Sequence, residues 1–360
     1  MPYGSLAIDK LTASTGQVFS PASSIMRNRI INGGMVIDQR NAGASVTAND
    51  DTYAVDRFKT AASQSSKLTA QQNAGSVTPP AGFSKYLGYT SSSAYSITTS
   101  DYFVCQQSIE GFNIADLAWG TASASPITLS FWVRSSLTGT FGGSLRNSDA
   151  SRSYPFTYTI SSANTWEQKS VAIAGDTSGT WSSTNTTGIA LGFGLGVGST
   201  LSGTAGAWAG TNYRSATGAT SVVGTSGATF YITGVQLEAG TVASQFEYRQ
   251  YGTELALCQR YFYKTNPSDL TRSGGMAGNA YNTTGAVVCM SLPVTMRATP
   301  TITRGGTLDN FYEAGVNGTL SASISLGTYS PTSLWWELSG TFSAGFQLTY
   351  NGQVSVNAEL

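Results

Sequence analysis

Residues 188–198, GIALGFGLGVG, alternate without a break. Ile189, Leu191, Phe193, Leu195 and Val197 are bulky and apolar, while Ala190, Gly192, Gly194, Gly196 and Gly198 carry almost no side chain. A period of two is the mark of a strand. Glycine inside a strand costs roughly 0.5–1 kcal/mol relative to alanine, so a face this bare predicts that something uses the space. Another strand, a neighbouring subunit or a flat ligand would each do so, and close protein packing is the reading we favour.

The same period recurs in short pieces separated by Gly, Ser, Asn and Pro. ITLSFWVRSS (127–136) puts Ile127, Leu129, Phe131 and Val133 on one face and Trp132 on the other. ATFYITGVQLEAG (228–240) alternates at Phe230 and Ile232, breaks at Gly234 and restarts at Val235, which predicts a bulged strand. Residues 28–37 read as a bent first strand around Gly33 and Gly34, YAVDRFKT (53–60) as one strand, and KYLGYT and DYFVCQQ as two more. IEGFNIADLAWG (109–120) reads as a short helical turn or an irregular crossing. YPFTYTI (154–160) and NTWEQKSVAI (164–173) read as a hairpin, and residues 199–227 as a long small-residue loop.

TELALCQR (253–260) then predicts one or two helical turns capped by Thr253. Beyond it, YFYK, GAVVCMSLPV, TPTITRG, FYEAG, SASISLGTY, LWWELSG, AGFQLTYNG and VSVNAEL are all short strand candidates. Residues 1–27 are too polar to build a core. The expectation is therefore an all-β chain: a jelly-roll β-sandwich over 28–250, a second, smaller β-sandwich over 251–360, and a flexible N-terminal arm over 1–27.

Composition removes whole classes of function. The chain has no histidine, which excludes Ser/His/Asp and Cys/His catalysis and every histidine-bearing zinc or iron site. Cys105, Cys258 and Cys289 are far apart and never in a CxxC pair, so they read as three buried free thiols. Nineteen basic and nineteen acidic residues give no net charge, and nothing steers the chain toward nucleic acid or an anionic membrane. No apolar run is long enough to span a bilayer, and MPYGSLAIDK does not read as a signal peptide. A weakly charged, neutral surface favours association.

ITGVQLEAG followed by FEYRQYGTELALCQRYF closely resembles a segment found in many tailed-phage virion proteins, mainly tail fibres and receptor-binding proteins. NRIINGGMVIDQRNAG (28–43), ITLSFWVRSS (127–136) and LPVTMRATPTIT (292–303) resemble further stretches of that family, in the family's order. Together they cover most of residues 28–303. The resemblance implies a carbohydrate-binding-module-like jelly roll up to the connector, within a homotrimeric virion component. The expected function is then a tail fibre or receptor-binding protein that recognises host-surface polysaccharide, does no chemistry, and joins other virion proteins through its arm. A capsid-decorating or structural tail protein without sugar binding is the second reading, and a polysaccharide depolymerase the third. Modules of this kind often hold a structural calcium ion, for which no residue here stands out as a ligand.

Sugar recognition needs flat rings for the apolar faces of pyranoses and polar groups to fix orientation. Trp181 in SGTWSSTN, and Trp208 and Tyr213 in AGAWAGTNYRS, lie in polar, glycine-rich sequence and are the candidate contacts. Each could equally pin its own loop. Trp335 and Trp336 point to opposite faces of one strand, and Trp336 is the fourth candidate. Asp50, Asp51, Glu238, Glu247 and Glu254 are the carboxylates a glycosidase would need, but surface solvation or salt bridging explains each more simply.

Overall fold

Thr187–Val197, the alternating segment, is an eleven-residue strand whose bulky residues enter a core. The computed structural model describes residues 11–12, 18–19, 26–265, 276–305, 311–313, 322–343, 345, 347–350 and 353–360. Most of the expected arm lies outside these residues. Leu11–Thr12 (β1) and Val18–Phe19 (β2) pair antiparallel.

The chain divides into two compact units, Met1–Gln250 with Leu360, and Tyr251–Glu359. In the first, the strands in chain order are Val46–Thr47 (β3), Thr52–Val55 (β4), Phe58–Ala62 (β5), Leu68–Gln72 (β6), Leu87–Ser91 (β7), Tyr102–Glu110 (β8), Ile127–Ser135 (β9) and Gly139–Arg146 (β10). Ser153–Ile160 (β11), Glu167–Ile173 (β12), Thr187–Val197 (β13), Ser202–Gly203 (β14), Ser215–Ala216 (β15) and Thr229–Ala239 (β16) follow. One six-stranded sheet runs β11-β10-β13-β8-β5-β4 and the other β12-β9-β16-β7-β6-β3. From β8 onward the chain repeatedly switches sheets, which makes the two layers a jelly-roll sandwich.

The layers are held by rings that cross between them. Phe131 of β9 packs edge-on against Phe193 of β13 and Tyr158 of β11, each at 4.9 Å between centroids. Phe131 and Phe193 are fully buried, with Leu129, Val133, Leu191 and Ile232 around them. Each such side chain stabilises the fold by roughly 1.5–3 kcal/mol. The break in β16 is a bulge: the register shifts between Thr233 and Gln236, and Gly234 adopts φ +61°. A side chain there would strike Phe83 and Trp132 as well as strain the backbone.

Several local expectations are corrected. Residues 28–37 form no strand, because side-chain amides take the backbone partners a neighbouring strand would supply: Gln107 bonds both Ile31 N–H and Ile31 C=O, and Asn32 both Ile37 N–H and Ile37 C=O. Residues 53–60 are two strands, β4 and β5, turning at the buried pair Asp56 and Arg57. The segments 154–160 and 164–173 are no hairpin: β11 pairs with β10, β12 pairs with β9, and the connection crosses from one sheet to the other. Cys105 and Cys258 are buried, but Cys289 is exposed.

Both ends of the first sandwich are clasped together. The Glu247 carboxylate accepts the backbone N–H groups of Met26 at 2.7 Å and Asn28 at 2.9 Å, and Asn28 Nδ2 donates to Val235 C=O at 3.1 Å.

In the second unit a helix, Tyr251–Gln259 (α1), precedes Phe262–Lys264 (β17), Met276–Ala280 (β18), Gly285–Ser291 (β19), Thr301–Gly305 (β20) and Phe311–Glu313 (β21). Ala322–Tyr329 (β22), Ser333–Gly340 (β23), Gln347–Tyr350 (β24) and Gln353–Asn357 (β25) complete it. Thr253 lies inside the helix rather than capping it. A three-stranded sheet β17-β25-β20 and a six-stranded sheet β21-β24-β18-β19-β23-β22 enclose a core around Val288, Leu334, Trp336, Tyr350 and Val356. This is the second, smaller β-sandwich.

Candidate carbohydrate-binding face

The outer face of the sheet centred on β13 is set by register. Gln106 of β8 stands opposite Lys59 on one side and Gly192 on the other, and Gly192 stands opposite Ser144 of β10. One row further along, Ser108, Ala190, Arg146 and Ser153 are neighbours across four strands. Because Ala190 and Gly192 leave the middle strand almost bare, the Arg146 guanidinium reaches past it: its Nη2 donates to Gln106 Oε1 at 2.8 Å.

The rest of the glycine face is filled by the chain itself. A Cβ on Gly194 would lie 2.8 Å from Ser215 Oγ, and one on Gly196 would lie 2.9 Å from Ser221 Oγ. Close protein packing is therefore what the alternation signals: the 199–227 loop packs on Gly194 and Gly196, and the backbone of Thr98 and Thr99 packs on Gly198. A neighbouring subunit is not needed to fill it.

That loop brings its own groups to the same place. Ala209 and Ser153 exchange backbone hydrogen bonds at 2.8 and 3.0 Å, and Ser153 Oγ donates to Thr211 C=O at 2.6 Å. This fixes Asn212, whose Oδ1 accepts from Arg146 Nη1 at 3.0 Å, and Arg214, whose guanidinium lies 3.9 Å from the centre of the Tyr102 ring. Burial, and after it the like charge of Arg214, pushes the Arg146 pKa down to about 9. Burial likewise lowers that of Arg214, against the opposing pull of Tyr102 and Asp50. Among the described residues neither guanidinium makes an ion pair.

Of the four expected aromatic contacts, Tyr213 lies between Asn212 and Arg214, while Trp181 and Trp208 pack against the core between the sheets. Trp181 and Trp208 meet Trp119 edge-on at 4.7 and 5.3 Å and each other at 5.4 Å, and Trp208 also meets Tyr154 at 5.1 Å. All three indole N–H groups donate to backbone carbonyls: Trp119 to Ser125, Trp181 to Ser178 and Trp208 to Ala174. Trp119 is buried while Trp181 and Trp208 are half-buried, so the cluster pins three loops and leaves two rings partly open. Tyr213 is half-buried, with its ring laid over Gly203 and its N–H donating to Ser153 Oγ at 3.2 Å.

Trp336 is a correction. It is 1% exposed in the core of the second unit, 5.1 Å from Tyr350, and cannot present itself to a ligand; its neighbour Trp335 is half-buried. The carboxylates considered for catalysis have structural partners. Glu238 accepts from Gln236, Ser244 N–H and Ser244 Oγ, Glu247 forms the clasp, Asp50 accepts from Ala62 N–H, and Asp51 pairs with Lys59 at 2.8 Å. Reading for aromatic platforms missed Gln106, Arg146, Asn212 and Arg214. Asn212 and Arg214 flank Tyr213 in the sequence and were within reach of inspection, whereas Arg146 meets Gln106 only through the sheet register.

No protein-family profile and no curated protein matches the sequence. Among solved structures, the chain is similar to the enzymatically active domain of tailspike protein 4 of bacteriophage CBA120, with 13% identity over 59% of this chain and 22% of that one, at a TM-score of 0.32. It spans about a fifth of that chain's length. It is also similar to the family 11 carbohydrate-binding module of a cellulosomal cellulase of Clostridium thermocellum, with 10% identity over 56% of this chain and 99% of that one, at a TM-score of 0.28. A third is the module TmCBM61 in complex with β-1,4-galactotriose, with 11% identity over 59% and 99% of the two chains, at a TM-score of 0.30. At these scores the architecture rests on the sheets described above and not on the likeness.

Proposed function

We propose that this chain is a phage virion protein, a homotrimeric tail fibre or receptor-binding protein whose first sandwich recognises host-surface polysaccharide without cleaving it. The observation that carries the reading is the outer face around Arg146. Hydrogen-bonding side chains meet there, Gln106 and Arg146 from the sheet and Asn212 and Arg214 from the loop laid over it, with the half-buried rings of Tyr102 and Tyr213 alongside, the combination that holds a sugar by its hydroxyls and its apolar face. The four stretches that resemble phage fibre proteins, in that family's order, support the virion setting. The trimer rests on that resemblance and on the neutral, weakly charged composition. Residues 1–27 are the proposed attachment arm, and deleting them is expected to abolish incorporation into particles while sparing glycan binding.

The test is binding of the purified protein to a panel of bacterial surface polysaccharides, followed by competition of phage adsorption with whichever one binds. Retention of one polysaccharide that blocks adsorption, with no loss of its viscosity, is the expected result. The pinned indoles of Trp181 and Trp208 favour the second reading, a structural or decorating component without sugar binding, and failure to retain any polysaccharide would select it.

A further inference from the structure

We propose that the polysaccharide recognised at this face is acidic, and that a carboxylate of one of its sugars is held between Arg146 and Arg214. The inference rests on the glycan-binding reading above and names the ligand's chemistry. Several other arginines of the first unit face carboxylates: Arg152 grips Asp176 through two bonds of 2.7 Å, Arg29 grips Asp116 at 2.6 and 2.8 Å, and Arg249 lies 3.4 Å from Glu247, while Arg57 donates to Ser108 C=O and Arg134 to Asn164 C=O. Arg146 is 8% exposed and no less in need of a counter-charge, yet its acceptors are the neutral amides of Gln106 and Asn212, and the charge nearest in effect is another arginine. A buried cation with a like charge beside it is costly unless an anion completes the site.

The surroundings match that anion. Arg214 Nε is buried with no hydrogen-bond partner, as are the hydroxyls of Ser144 and Ser215, which flank the same stretch of β10 and β13. Arg146 uses one hydrogen on each terminal nitrogen, so a guanidinium with five donors has capacity left. A planar carboxylate meets such forks through paired bonds. A sulfate or phosphate ester on a glycan offers related oxygens but a tetrahedral, not planar, arrangement.

The experiment is titration calorimetry of the full chain with three oligosaccharides of equal length: an oligogalacturonate, its neutral galactose counterpart and a sulfated galactan. The expected result is at least about tenfold tighter binding of the oligogalacturonate than of the neutral chain, weakening as ionic strength rises from about 0.05 to about 0.5 M. Arg214→Gln should remove about tenfold of the acidic affinity and so erase most of the preference for the acidic over the neutral chain. Should that variant not fold, the wild-type comparison decides alone. Equal or tighter binding of the neutral chain overturns the inference and leaves the glycan reading standing, tighter binding of the sulfated chain overturns the carboxylate assignment, and binding of none of the three overturns the inference, the glycan reading then being decided by the polysaccharide panel.

Discussion

Trp208→Ala separates two roles for one ring. The indole makes three edge-on ring contacts, at 5.3 Å to Trp119, 5.4 Å to Trp181 and 5.1 Å to Tyr154, and donates one hydrogen bond of 2.8 Å to Ala174 C=O. Edge-on ring pairs contribute roughly 0.5–1.5 kcal/mol each and a neutral hydrogen bond roughly 1 kcal/mol. Trp208 is half-exposed, so water replaces part of what is lost, and the net cost should be about 2–4 kcal/mol to the first sandwich. Urea unfolding followed by far-ultraviolet circular dichroism measures it, with the earlier transition assigned to the first unit by its response to the substitution. Stability unchanged within about 0.5 kcal/mol would refute this packing argument, and lost adsorption alongside it would assign the ring to sugar binding alone.

Further outcomes follow from the same geometry. Gly194→Val should cost about 1–3 kcal/mol by overpacking against Ser215 and Gly142 and leave the oligomeric state alone, as read by light scattering. A stable variant that falls to monomers would instead put a neighbouring subunit on that face. Glu247→Ala should cost about 2–3 kcal/mol in thermal unfolding, because the N–H groups of Met26 and Asn28 lose a charged acceptor. Burial pushes Asp56 up to about 6, against the pull of Gln39 and Arg40. A raised carboxyl pKa favours the fold below the unfolded value and loses that contribution as pH rises through 6, so the first sandwich should gain about 1 kcal/mol between about pH 7 and about pH 5, a gain absent in Asp56→Asn. Light scattering on the wild type is expected to give a trimer, and a stable monomer would remove the fibre reading.

What could be read from the sequence was what a single segment determines. The alternation of 188–198 and the glycine break in 228–240 fix strand, face and bulge locally, and both stand in the structure as β13 and the kinked β16. What could not be read was which sheet a strand joins. β11 and β12 look like a hairpin because both are strands with small residues between them, but the N–H groups of Ser161 and Ser162 are drawn to the Glu167 carboxylate at 2.9 Å and the chain crosses to the opposite sheet. β18, MAGNA, has no strand-favouring residue and is held by its neighbours β19 and β24. The candidate site divided in the same way. Trp208 and Tyr213 were visible as aromatics in loop sequence, whereas Trp335 and Trp336 differ only in which side of β23 faces the core. Arg146 acquires meaning only once Gly192 is seen to leave its path to Gln106 open.

Hydrogen–deuterium exchange of the full chain, with and without the polysaccharide that blocks adsorption, tests the central claim most directly. Slowed exchange is expected in β8, β10 and the loop from Ser202 to Ala216, with the second sandwich unchanged. Protection confined to the second sandwich, or to the loops joining β3 and β4 at the far edge of the first, would contradict it.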